Sequence, residues 1–164
     1  MAHSTVIKNF RDGTVSIADG AGSPATHTIA FEAGDFSISG LLAGQKETTT
    51  YLDRGDLGSV RHTNQTFPTG SMSFHLTDIT DAGYSTAIDL MLKKGSHASA
   101  VSTLGATAEV YAVKLTLTIE ESDHSGGDDH TIVLDDCVCS VDIAEGDPSS
   151  VSISFTCYGT ITLT

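Results

Sequence analysis

Tryptophan is absent from the 164 residues, and aromatic side chains of all kinds make up only 6 %. Carbohydrate-binding sandwiches stack sugars on aromatic platforms, and here only Tyr51, Tyr84, Tyr111 and Tyr158 could serve as stacking tyrosines. Positive charge is equally scarce. Eight lysines and arginines face 21 acids, giving a net charge of −13, a field that opposes tight binding to phosphate backbones. The imbalance is concentrated: residues 1–94 carry ten acids and seven bases, whereas residues 95–164 carry eleven acids and the single base Lys114. Three cysteines, Cys137, Cys139 and Cys157, are too few and odd in number for a disulfide framework. No stretch approaches the roughly 20 apolar residues that span a bilayer as a helix. Met1-Ala2-His3-Ser4 lacks the basic start and apolar core of a secretion signal, so use without export or membrane insertion is expected.

Catalytic signatures are missing too. The sequence holds no nucleophile elbow, no Gly-rich phosphate loop and no Cys-His pair, and Gly20-Ala21-Gly22 follows a strand without a helix behind it to present amides to phosphate. Ser73 and His75 share one strand face, an arrangement that chance supplies often. Asp123 to His130 (Asp-His-Ser-Gly-Gly-Asp-Asp-His) gathers ligand-type side chains around two glycines. Its spacing matches neither an EF-hand nor a zinc motif, and it falls where a polar turn between strands is expected. The three cysteines could supply thiolates to a metal, but no histidine stands at a fitting distance, and they read as small buried hydrophobes of strand cores. No enzyme activity, cofactor or metal is expected.

What the chain has instead is alternation. Nineteen serines and 22 threonines suit the outward faces of strands better than helices. From Ser150 to Thr164 the odd positions Val151, Ile153, Phe155, Cys157, Ile161 and Leu163 are apolar and the even ones are Ser or Thr, save Tyr158, a period of two that predicts one strand with a greasy face and a hydroxyl face. The same pattern recurs at Val15 and Ile17, Ile29 and Phe31, Phe36 and Ile38, Met72 to Leu76, Val113 to Ile119, Ile132 with Leu134, and Cys139 to Ile143, with turn residues between. Such spacing predicts an antiparallel β-sandwich or barrel, and 164 residues suit one domain that buries about 70 % of its unfolded surface.

Two segments depart from that pattern. Tyr84, Ala87, Ile88, Met91 and Leu92 repeat at helical spacing, with Thr86 and Asp89 placed as a capping box, Lys93 and Lys94 at the negative end and Gly95 as terminator. This predicts one short helix packed on the sheet. Residues 44–66 form a long hydrophilic span that reads as a protruding hairpin or ordered arm. Its Tyr51, Leu52, Leu57 and Val60 are too few for a core, and isolated hairpins are marginal in water, so the arm should dock on something. Lys46, Arg54 and Arg61, interspersed with Asp53 and Asp56, make an acidic neighbouring copy an electrostatically suitable dock.

The order of these features carries a resemblance: Asp12-Gly13-Thr14, the Asp19-Gly20 turn, the strand Gly-Asp-Phe-Ser-Ile-Ser-Gly at 34–40, a polar arm and Thr69-Gly70-Ser71-Met72-Ser73-Phe74. Then come the helix Ile88-Asp89-Leu90-Met91-Leu92, a cysteine-bearing strand, Glu145-Gly146-Asp147-Pro148 and the closing Ser-Ile-Ser-Phe strand with Tyr158-Gly159. The chain resembles the tail tube, or major tail, proteins of long-tailed bacteriophages. That resemblance implies a sandwich or barrel with one helix, shared with the tube protein of type VI secretion. It also implies hexameric rings stacked into a hollow tube, a place in the virion after assembly in the host bacterial cytoplasm, and tape measure, tail terminator and tail tip proteins as partners. Phage DNA would pass without specific binding, along a lumen for which Lys114, Thr116, Thr118, Glu120, Ser152, Ser154 and Thr156 are the candidate lining. A decoration protein of a capsid or tail, also β-rich but closing into small oligomers, is the alternative.

Overall fold

The computed structural model describes residues 13–30, 36–76, 87–119 and 130–164. Within them lie β1 (Thr14–Ala18), β2 (Thr26–Ala30), β3 (Ser37–Ser39), β4 (Lys46–Asp53), β5 (Asp56–Gln65), β6 (Thr69–His75), α1 (Ala87–Leu92), β7 (Val113–Ile119), β8 (His130–Ala144), β9 (Ser150–Cys157) and β10 (Ile161–Leu163). The fold is mainly β and antiparallel, as the alternation predicts, and the described residues add one short α-helix and a hairpin where the pattern departs from it. Eight strands form one sheet in the order β2-β1-β7-β8-β9-β6-β3, with β10 added beside β8; β4 and β5 pair only with each other.

Period-two patterning sets the register. Val15 and Ile17 of β1, Leu115 and Leu117 of β7, Leu134 of β8, Val151, Ile153 and Phe155 of β9 and Met72 of β6 are all buried in one cluster on the same face of the sheet. Ile88, Leu90 and Met91 of α1 join that cluster, so the helix covers the apolar face. The segment after α1 is tied over it by the Tyr111 hydroxyl, which donates to the Leu90 carbonyl at 2.8 Å, and by Asp19, whose carboxylate accepts from the Ala25 and Val101 amides at 2.9 and 3.2 Å.

Some expectations need correction. The terminal strand is broken: β9 and β10 are separated by Tyr158 to Thr160, opposite a bulge in β8 where Asp136 adopts a left-handed φ of 54°. Gly159 is required there, because a Cβ would collide with the Asp135 carbonyl and the Asp136 carboxylate. Beyond that break Ile161 is half-buried, and Leu163, expected in the core, is 68 % exposed. The same bulge joins into one strand, β8, two pieces that the sequence reading kept apart. Leu92, also expected to pack inward, is exposed at the end of α1, where Lys93 turns the backbone left-handed at φ 52°. Phe31, Tyr84 and the capping-box Thr86 lie outside the described residues.

Candidate assembly surfaces

The sheet face opposite the core is a field of hydroxyls. Antiparallel register sets Ser37 of β3, Ser71 of β6, Ser154 of β9 and Ser140 of β8 in one row across four strands. Ser37 and Ser71 hydroxyls bond at 2.9 Å and those of Ser140 and Ser154 at 2.7 Å. The neighbouring row runs Ser39, Thr69, Thr156 and Val138, and together these rows line an open depression of about 560 Å³. Beyond the bulge the pattern continues through Thr28, Ser16, Thr116, Val133 and Thr162, and through Thr118, Thr131 and Thr164; the Thr131 and Thr164 hydroxyls bond to each other.

Lys114, Thr116, Thr118, Ser152, Ser154 and Thr156 therefore share this one face, while Glu120 lies outside the described residues. Carboxylates are rarer here than the overall acidity implied. Among the described residues of these rows, Lys114 is neutralised by Asp135 at 3.2 Å, and Asp142 stands opposite Ser152. Ser37, Ser71 and Ser140 were not singled out from the sequence, although Ser37-Ile38-Ser39 and Ser71-Met72-Ser73 carry the same signal as Ser152-Ile153-Ser154. Ser73 and His75 also lie on this face, opposite Ser152 and Ser150, so their cross-strand neighbours supply no carboxylate.

The arm is the second surface. β4 and β5 run as an antiparallel ribbon closed by Arg54 and Gly55, both left-handed at φ 50° and 96°, the conformation of a tight two-residue hairpin turn. Gly58 is the extra residue of a bulge, since Tyr51 faces Ser59 and Leu52 faces Leu57. The ribbon extends about 24 Å at ~3.4 Å per residue. Tyr51, Leu52, Leu57 and Val60 are all more than half exposed, and Lys46, Asp53, Arg54, Asp56 and Arg61 are exposed along the same ribbon. No arm residue belongs to the core cluster.

Titratable side chains meet at two places in the fold. Cys137 and Cys157 face each other across β8 and β9; their shared hydrogen bond and then burial push the Cys137 thiol up, while the same bond favours Cys157 as the first to ionise. Burial pushes the Cys139 thiol up to about 12. All three pack on the apolar side, and no cluster of three or more metal-ligating side chains is found among the described residues; most of the Asp123 to His130 cluster lies outside them. The other group is a pair missed in the sequence: His27 of β2 and His97, 70 residues apart, meet Nε2 to Nε2 at 2.8 Å. No spacing rule flags a contact made only by the helix folding onto β2.

No protein-family model and no curated protein matches the chain. Solved structures do. Over 99 % of both chains it is similar to a chain of the PVC sheath/tube terminator of an extracellular contractile injection system in its extended state, at a TM-score of 0.60 and 13 % identity. A chain of the PVC sheath-tube complex, also extended, matches over 99 % of both at 0.59 and 12 %. A chain of the anti-feeding prophage cap, described as a tube-terminating cap, matches over all of this chain and 94 % of its own length at 0.57 and 10 %. At such identities the likeness establishes a shared fold.

Proposed function

We propose that this chain is a structural subunit of a phage-tail-like tube, in which copies close into rings, the rings stack and the hydroxyl face lines the bore. The observation that carries the reading is that face: hydroxyls across the width of a sheet whose other side is core. A bore of bonded hydroxyls stays hydrated and offers a passing polymer little fixed charge to adhere to. For DNA this matters, because each phosphate neutralised by a lysine or arginine releases counterions and adds affinity. Ring closure would pair β2 and β3, the end strands of the described sheet, with neighbours and remove an aggregation hazard. The full-length likeness to chains of contractile injection systems supports the reading, which includes no catalysis and takes other tail proteins as partners.

A second reading is favoured by the terminator and the cap among the similar structures: a subunit that forms one ring and ends a tube. Negative-stain microscopy of concentrated protein separates them. Stacked tubes with a bore are expected; isolated rings favour the terminating role, and compact closed oligomers a decoration protein. A chain that stays monomeric at all concentrations and in the presence of preformed tubes overturns both tube readings.

A further inference from the structure

The apolar face of the sheet does not stop where its own cover stops. At β10 it runs on to Leu163, 68 % exposed, and across from it the root of the arm presents Leu41 and Leu42, each 46 % exposed. Between them lies a groove of about 560 Å³ floored by Gly44, Gly159 and Ile161. The outer edge of β10 has no strand beside it in the described sheet. One rim is acidic: Thr160 lines both this groove and the adjoining recess of Asp135 and Asp136, and the Asp136 carboxylate lies against Gly159. Asp135 is taken by Lys114, whereas Asp136 has no ion-pair partner among the described residues.

The arm tip is the complement of that groove. It carries Tyr51, Leu52 and Leu57 uncovered, with Arg54 at the turn between them. The tip stands about 24 Å from the arm root at ~3.4 Å per residue, and the groove is at the root, so a paired ribbon cannot bring its own tip there. We propose that the groove between the arm root and β10 receives the arm tip of a second copy of this chain, with Leu52 and Leu57 against Leu41, Leu42 and Leu163, and Arg54 toward Asp136. The contact joins two different patches, so each copy is donor and acceptor at once and the chain propagates until symmetry closes it. This deepens the assembly reading and rests on it only for the tube that results.

The test uses two variants at exposed positions, Leu52→Cys and Leu163→Cys, whose folding is checked by circular dichroism, with a short bismaleimide as cross-linker. The native thiols are poor competitors: Cys137 and Cys157 are buried, and the Cys139 thiol is pushed up to about 12. Covalent dimers are expected when the two variants are mixed and in neither alone. Adding Arg54→Glu to the donor should abolish them, and Asp136→Lys on the acceptor should restore them. Dimers from Leu52→Cys alone, at the yield of the mixture, would mean tip-to-tip contact and overturn the proposal, as would no dimers in the mixture or no effect of the charge exchange. Micrographs of the same samples separate the two readings. Tubes without cross-links sink the docking and leave the tube; cross-links in open, irregular chains keep the docking and sink the tube.

Discussion

His27 shows how one packed contact makes a fold sensitive to protons. Two imidazoles meeting nitrogen to nitrogen at 2.8 Å need one ring to donate and the other to accept, so the contact fails when both are charged. Burial first, then the neighbouring His97, hold His27 below its ordinary value of 6.5, against an opposing pull from Asp89. The unfolded chain then binds the proton at a higher pH than the folded one. Stability is expected to fall as the pH drops below 6.5 towards the depressed folded value, and to return as it rises. Urea midpoints of the protein and of His27→Asn between about pH 7.5 and about pH 5 check this: the variant should lose part of the acid-side slope, and identical slopes would remove His27 from the account. Gly70 is a steric counterpart. A methyl there meets the Phe155 ring and the Ser37 carbonyl, so Gly70→Ala should cost about 1–3 kcal/mol in denaturant unfolding through overpacking and loosened pairing of β3.

Among the elements, the arm separates folding from assembly. Its strands contribute nothing to the buried cluster, and their principal contacts are with each other. Replacing residues 46–65 by a short Gly-Ser loop should leave the far-ultraviolet spectrum of the sheet and the melting midpoint close to those of the intact chain, while abolishing stacked assemblies in micrographs. A large drop in the midpoint would mean that the arm braces the core. Strand positions were legible because period two survives in β1, β7 and β9, where one face is wholly buried. It misled at the end of the chain because a bulge changes what alternation means: opposite Asp135 and Asp136 the pattern keeps its parity in sequence, but the sheet there runs past its cover, so Leu163 reads as core and is not. The arm was legible as a polar insertion with a few stranded apolar residues; its acceptor was not, since Leu163 lies 121 residues after Leu42 in the sequence and is brought to Leu41 and Leu42 only by the fold.

For the whole molecule, which strands neighbour each other is the information that sequence could not supply. Alternation marks each hydroxyl face singly; only the order β2-β1-β7-β8-β9-β6-β3 turns them into one continuous surface, and only then does it become clear that few of the described carboxylates share it. That separation makes the bore reading testable by charge. Ser71 of β6 and Ser154 of β9 are cross-strand neighbours on the face, exposed and outside the core, so Ser71→Lys and Ser154→Lys should fold. In an assembled ring every copy adds these cations to the same wall, and each phosphate they neutralise steepens the dependence of log affinity on log salt by about 0.9 for duplex DNA. Tubes of the unaltered chain are expected to leave a short labelled duplex free at about physiological salt, where the Debye length is about 8 Å. Tubes of the double variant should retain it at low salt and release it steeply as salt rises. If the lysines instead change nothing while the duplex reaches the ends of open tubes, this face points away from the bore, and the hydroxyl surface must meet a protein neighbour on the outside.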